Sequence, residues 1–262
     1  MNLLDYKKNI SSQYGEDGII EKIIQILNPL ENKFFVEFGA WDGKYLSNTY
    51  NLFKNHEFRG LYIEGDIKRA NKLKKDFLIE DRIICEQAFV QSSGQNSLTN
   101  ILERNNVPND FFLLSIDIDG NDFEVWKSLE NYSPRVVIIE YNPTFPPNKE
   151  FIDAGGDCYI GSSALSLSKL GKSKGYELIT ATESNLIFVR DEFYSKFEIH
   201  DNSVVNLQFK GHLNEVYLNF SGELVFEKDI FPNKFNINYK RFKKKAKGIF
   251  KKSYYFLGQK YD

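Results

Sequence analysis

Short apolar runs that alternate with helix-patterned segments limit this chain's fold more than any other feature. FFVEF (34–38), LYIEGD (61–66), RIICEQAF (82–89), FFLLSIDIDG (111–120) and RVVIIEYNP (135–143) are nearly continuous in Phe, Ile, Leu and Val. Strands covered on both faces have that composition, whereas half-exposed strands alternate apolar with polar residues. Helix-like segments fall between the runs, near 45–55, 67–79, 97–105 and 121–130. Ahead of them, EDGIIEKIIQIL (16–27) sets Ile19, Ile20, Ile23, Ile24 and Leu27 on one helical face. Glu16 and Asp17 stand in its first turn, where the helix dipole favours anions. SALSLSKLGKSKG (163–175) reads as the last helix of the series. Such alternation predicts an α/β fold with a doubly wound, Rossmann-like sheet. The last two runs, YELITAT (176–182) and NLIFVR (185–190), have only the turn 183–184 between them. That is hairpin distance, too short for a parallel crossover. The expectation is a mostly parallel seven-stranded sheet with one antiparallel strand at its end, followed by a C-terminal extension.

The chain has 262 residues, between one and two domains' worth at about 150 residues each. We expect a main domain over 1–190 and an extension over 191–262. Hydrophobic residues at 42% and charged residues at 27% exclude a disordered chain, a collagen and a coiled coil. A net charge of −2 gives no reason to expect a nucleic-acid partner. Cys85 and Cys158 have neither CxxC spacing nor a histidine cluster, which argues against a disulfide scaffold or a zinc site and for a reducing compartment. The first residues have no basic segment leading into an apolar one, and no apolar run approaches the roughly 20 residues a bilayer span needs. A soluble, cytoplasmic protein without a transmembrane segment is expected. Residues 240–262 carry nine Lys/Arg and one Asp, a local +8 that leaves −10 for the remainder. In that tail Phe242, Ala246, Ile249, Phe250 and Tyr254 recur at helical spacing. The pattern fits packing on the acidic body or on a second subunit, and equally an anionic membrane surface.

Ligands of open α/β sheets bind beyond the carboxyl ends of the strands. The first strand end supplies Glu37, Gly39 and Gly43. Their spacing is not the GxGxxG that cradles a pyrophosphate, and an acid there favours a cation such as an α-ammonium group. The second strand end supplies Glu64, a carboxylate suited to ribose hydroxyls. An ammonium and a ribose on one ligand describe S-adenosyl-L-methionine (SAM).

FVEFGAWDG, LYIEGD, LLSIDIDGNDFEVW and VVIIEYNP, in that order, resemble the class I SAM-dependent methyltransferases of the FkbM type. SQYGEDG, DGKYLSNT and YIGSSALSLSKLGKSKGYELI with SNLIFVR resemble that family's flanking segments, so the likeness spans about 11–190. The resemblance implies a methyltransferase acting on a hydroxyl, with sugars and polyketides as usual acceptors and bacterial surface-polysaccharide synthesis as a setting. It implies that Glu37, Gly39 and Gly43 form the first SAM loop and that Glu64 holds the ribose. By the same likeness Gln87 and Ala88 lie along the adenine, while Gln13, Tyr14, Asp17, Ser47 and Asn48 close over the methionine end. Read by themselves, Glu64 fits a surface turn, and Gln13 and Tyr14 fit a turn into the following helix.

The sharpest chemical feature is the set of acids after the fourth and fifth runs. Asp117 and Asp119 share a strand face by the period of two, and Glu140 and Asn142 do so on the next run. Asp117, Glu140 and Asn142 offer hard oxygen ligands suited to Mg²⁺, Mn²⁺ or Ca²⁺, and a metal could lower the pKa of an acceptor hydroxyl. Without a metal, Asp119 starts the helix over 121–130 or serves, like Asp117, as general base, and Glu140 shapes an acceptor pocket. The long connection 141–163 offers Tyr141, Phe145, Tyr159, Ser162 and Ser163 to a polar substrate. His56, His200 and His212 are poorly placed for catalysis.

The leading expectation is an O-methyltransferase acting on a sugar hydroxyl of a sugar nucleotide or of a capsule or lipooligosaccharide precursor. A phosphate or phosphoramidate acceptor is the second reading, and an NAD-binding or non-catalytic module the third.

Overall fold

Seven strands form one sheet, each from a run that the sequence marks as apolar. They are β1 (Phe34–Phe38), β2 (Arg59–Glu64), β3 (Ile83–Gln87), β4 (Leu113–Ile116), β5 (Val136–Glu140), β6 (Tyr176–Ala181) and β7 (Asn185–Arg190). The helices between and before them are α1 (Glu16–Leu27), α2 (Tyr50–His56), α3 (Ile67–Asp76), α4 (Leu98–Arg104), α5 (Asp122–Ser128) and α6 (Ala164–Ser173). Short helices α7 (Asp191–Tyr194) and α8 (Val204–Leu207) follow. The computed structural model describes residues 1–29, 32–153, 155, 160–208, 216–218 and 224–226. Chain contacts divide it into Met1–Leu213 and Asn214–Asp262. In the second unit the described part is one antiparallel pair, β8 (Val216–Leu218) with β9 (Leu224–Phe226). The basic tail at 240–262 lies outside the described residues.

The strand order is β3-β2-β1-β4-β5-β7-β6. Strands β1 to β5 pair in parallel, and β7 runs antiparallel to both β5 and β6. The single antiparallel strand therefore does not form the edge expected from its place in the chain. The crossover through α6 leaves a vacant place beside β5, and the short turn at 183–184 sends β7 back into it. This leaves β6 at the edge.

Alternate side chains of the central strands enter opposite cores, so both positions of the period are buried there, whereas edge strand β3 is only half-buried beyond Ile83. In β1, Phe34, Val36 and Phe38 join the core under α4, α5 and α6, whereas Phe35 joins the core with α1, α2 and α3. All five β1 residues are buried, Glu37 included. That double coverage accounts for the unbroken apolar runs. Residues 191–207 also contribute, with Phe197 in one core and Val204 in the other.

Helix α2 begins at Tyr50, several residues later than the expected segment over 45–55. The reason is local: Ser47, Asn48 and Thr49 donate to the Glu37 carboxylate and are held as a loop. Among the described residues no helix is long and apolar enough to cross a membrane.

Phe188 on β7 is fully buried, with its ring centroid 5.2 Å from that of Trp126. Gly171 approaches the same ring so closely that a Cβ there would lie 2.8 Å from it. Phe188→Ala should cost about 3–5 kcal/mol, the range for emptying a buried aromatic position. Urea denaturation would reveal it as a lowered midpoint; an unchanged midpoint would mean that this contact does not support the sheet.

Candidate functional site

Strand order reverses between β1 and β4, and the main cavity opens at their carboxyl ends. Its geometry starts with Gly39, which has φ of 76°. A Cβ built there would lie 1.7 Å from the Asp117 carbonyl oxygen, so the two strand ends approach closer than any side chain permits. Glu37 precedes this contact. Its Oε2 accepts from Ser47 Oγ at 2.6 Å and Thr49 Oγ1 at 2.5 Å, and its Oε1 accepts from Asn48 N at 3.0 Å. Burial raises its pKa against the pull of these three donors. Asn48 in turn donates Nδ2 to Ser115 Oγ at 3.1 Å.

Glu64, at the end of β2, accepts from Trp41 N and Asp66 N, each at 2.8 Å and on separate oxygens. Two backbone donors fix the orientation of this carboxylate, and each oxygen keeps acceptor capacity for a ligand in the cavity that it lines. Asp66 caps α3 by accepting from Arg69 N at 2.9 Å. Arg69 returns over the cavity, with its guanidinium 4.1 Å from the centroid of the Trp41 ring.

The opposite wall is acidic. Oxygens of Asp117, Asp119 and Glu140 lie within 4.8 Å of one another. Asp122, buried behind them, accepts from Ile118 N at 2.9 Å and Gly120 N at 3.0 Å, and so fixes the turn that carries Asp119. Asp117 opens to the cavity, yet protein atoms crowd it. Desolvation, then the charges of Asp122, Asp119 and Glu37, push its pKa from 3.8 to about 7. Desolvation and then the charge of Asp117 raise Glu140 as well. Two acids crowded in this way do not both ionise near neutral pH. The spacing of the three acids also suits one hard divalent cation.

The cavity has a volume of about 640 Å³. Gln13, Glu37, Gly39, Ser47, Asn48, Glu64 and Ala88 all line it, as do Asp117, Asp119 and Glu140. Asp17 does not. Its carboxylate is fully buried and accepts from Ile10 N, Ser11 N and Ser12 N, each at 2.7 Å, and from both serine hydroxyls. It shapes the loop behind Gln13 and leaves nothing for a ligand. Tyr14 lies beside the wall, its hydroxyl accepting from Gln13 Nε2 at 3.0 Å. Burial and the charge of Glu183 raise its pKa, so the phenol stays protonated. Gly43 serves packing: a Cβ there would strike Leu73 and Phe77 at 2.8 Å. Gln87 donates to Gly65 O at 2.9 Å and supports the wall from outside.

Asn142 lines a smaller adjoining cavity with Asp119 and Glu140, and its side chain is engaged within its own loop. Its Oδ1 accepts from Thr144 N and Oγ1, and its Nδ2 donates to Ile160 O at 2.6 Å. Asp119 joins Asp117 and Glu140 in the oxygen cluster. Tyr141 is 2% exposed and donates to Thr182 O at 3.1 Å. Ser163 caps α6, and Ser162 accepts from Asp153 N at 3.0 Å, so both hold the connection together. Phe145 stacks on Phe151 at 4.8 Å. Tyr159, Cys158 and His212 lie outside the described residues. His56 pairs with Glu21 at 3.5 Å, away from the cavity.

Sequence reasoning missed Trp41, Tyr45, Leu46, Arg69 and Phe89, which line the cavity. Phe89 is 65% exposed and Tyr45 60%, so both rings present apolar surface at the cavity mouth. Trp41, Leu46 and Asp119 all adopt left-handed backbone, with φ of 50°, 57° and 57°. Strain in non-glycine residues concentrates where geometry serves function. Trp41 and Phe89 fall three and two residues past the ends of β1 and β3, too close to a strand end to carry a periodic signal.

No family model matches the sequence, and no curated protein matches it. Solved structures are similar in fold. One is a SAM-dependent methyltransferase from Aquifex aeolicus, with TM-score 0.40, 11% identity, and 64% of this chain and 86% of that chain covered. Magnesium protoporphyrin IX methyltransferase from Synechocystis PCC 6803 gives 0.40 and 8%, covering 71% and 87%. A Podospora anserina methyltransferase gives 0.41 and 13%, covering 69% and 80%. Likeness at this level carries no argument about what this chain does.

The raised pKa of Asp117 has a consequence for stability. The folded state binds this proton more tightly than the unfolded chain does. Its contribution is fully present below about pH 4 and is lost as pH rises through about 7. In ligand-free protein, Asp117→Asn should flatten the fall in stability over that window. Denaturation midpoints at pH 5, 6, 7 and 8 would test this; parallel curves for the two proteins would show that Asp117 ionises normally.

Proposed function

We propose that this protein is a SAM-dependent O-methyltransferase of the FkbM type. We infer a sugar hydroxyl as acceptor, on a sugar nucleotide or a surface-polysaccharide precursor. The observation that carries the reading is one cavity with two unlike ends. At one end Glu64 presents a backbone-oriented carboxylate suited to a ribose diol, flanked by Trp41, Ala88 and Phe89 for a purine. At the other, Asp117, Asp119 and Glu140 form an acidic wall suited to a sulfonium and an ammonium group. Gln13, Ser47 and Asn48 stand where polar atoms of the methionine portion would be met.

In the proposed reaction the acceptor oxygen attacks the methyl carbon as the carbon–sulfur bond breaks, and the bonding electrons stay on sulfur. The acceptor proton passes to Asp117 or Asp119 as general base. Ionisation of Asp117 at about pH 7 would make methyl transfer rise with pH through neutrality. A second reading adds a divalent cation, favoured by the 4.8 Å spacing of the three acids. When bound, it would hold the acceptor oxygen and lower its pKa. Asp117, Asp119 and Glu140 would be its ligands.

Two measurements test these readings. Calorimetry should detect SAM binding, and Glu64→Ala should weaken it by about 1–3 kcal/mol, the scale for removing a charge-assisted acceptor. Binding of NAD with no SAM heat would refute the assignment. Methyl transfer should disappear in excess chelator and return with Mg²⁺ or Mn²⁺ if the cation takes part; full activity under chelation leaves the carboxylate base alone.

A further inference from the structure

A second, smaller cavity of about 180 Å³ adjoins the first and shares Asp119 and Glu140 with it. Its remaining wall comes from 141–143, from Ile160 and Gly161, and from Ser184 in the turn between β6 and β7. We propose that this cavity receives the acceptor's reacting portion, and that this portion is a neutral or ammonium-bearing polyol without phosphate or carboxylate. The proposal rests on the methyl-transfer reading, because that reading puts the acceptor beside the acids.

Charge is the first argument. No Lys, Arg or His lines the smaller cavity among the described residues, whereas two carboxylates do. The larger cavity has six lining acids, Glu37, Glu64, Asp66, Asp117, Asp119 and Glu140, against the single guanidinium of Arg69; even with the Asp117–Glu140 pair partly protonated the acids outweigh it. Arg69 is engaged over Trp41, on the Glu64 side. Lys7 is paired with Glu183, the residue before Ser184, at 2.7 Å. An anionic group would enter a field of its own sign.

Hydrogen bonding is the second argument and is independent of the first. An anion needs donors, and most donors of this wall are already engaged within the chain. Ile160 N and Gly161 N both donate to Asp153 Oδ2 at 2.8 Å. Asn142 N donates to Ser162 O at 3.0 Å, and Tyr141 N to Ser184 O at 2.8 Å. The Asn142 amide donates to Ile160 O, and the Tyr141 hydroxyl to Thr182 O. Ser184 Oγ accepts from Asn185 Nδ2 at 3.3 Å and retains its own proton to donate. The Asp119 carboxylate is an acceptor, and the Glu140 carboxyl, whose pKa burial and Asp117 raise, accepts through its remaining lone pairs. The cavity thus calls for O–H and N–H donors on the ligand and has little for phosphate oxygens.

The experiment uses the full chain saturated with S-adenosylhomocysteine. Saturation-transfer NMR measures binding of monosaccharide sets, each supplied as neutral parent, amino sugar, uronate and phosphate. The parent or amino member should bind at least about tenfold more tightly than the uronate and phosphate, about 1.4 kcal/mol. Asp119→Asn with Glu140→Gln should narrow that gap. Anionic members that bind as well as their parents, in every set, would overturn the proposal, as would a gap that the double variant leaves intact. Calorimetry of SAM on the same protein separates the two failures, since loss of that heat strikes the methyl-transfer reading and not the acceptor class.

Discussion

The Asp117 carbonyl oxygen occupies the place where a side chain on residue 39 would begin. Only glycine permits that approach, and the architecture of the site follows from it. Because β1 and β4 end against each other, Glu37 stands just before the contact and Asp117 emerges just after it. Residues 40–49 must then leave the sheet on the side of β2, where Glu64 receives the Trp41 amide. The cavity is the space between the two departing chains. The acids that face each other across it are consequences of one backbone approach at the switch point of the sheet.

Carboxylates divide into two populations that sequence does not separate. Glu16, Asp17, Asp122 and Asp153 are buried and accept hydrogen bonds from their own chain. Glu16 joins the start of α1 to Thr182 and Asn185 in the β6–β7 hairpin. These acids are framework: they impose shape on loops that have little apolar content. Glu64, Asp117, Asp119 and Glu140 face the cavity. Glu37 belongs to both groups, since it lines the cavity while holding 47–49 in place.

The fold was legible because strands buried on both faces write continuous apolar runs, and these seven did so. The sequence did not indicate that β7 would insert beside β5, since hairpin length fixes which strand is its neighbour but not on which side it lies. The strand-end acids were legible for the same reason as the strands. Asp17 and Asn142 were not, because whether a polar group is already saturated depends on donors that folding brings to it. Asp17 is met by three consecutive amides, and Asn142 by Thr144. Trp41, Arg69 and Phe89 follow strand ends too closely to show any periodicity, and their role emerges only from the cavity they enclose.

The bonds from Glu16 to Thr182 and Asn185 bridge 166 and 169 residues, and the pair from Lys7 to Glu183 bridges 176. Gln13, between these anchors, is one wall of the cavity. On a growing chain the segment around Gln13 is therefore made long before the hairpin that fastens it. Contacts of such separation are slow to form, because the intervening loop must close first. A ribosome-bound chain that has reached β5 holds nearly every cavity-lining residue in sequence, yet it still lacks the hairpin that fastens the front wall. Competence to hold a ligand arrives as one late event, after β7 has emerged, and cannot accumulate strand by strand.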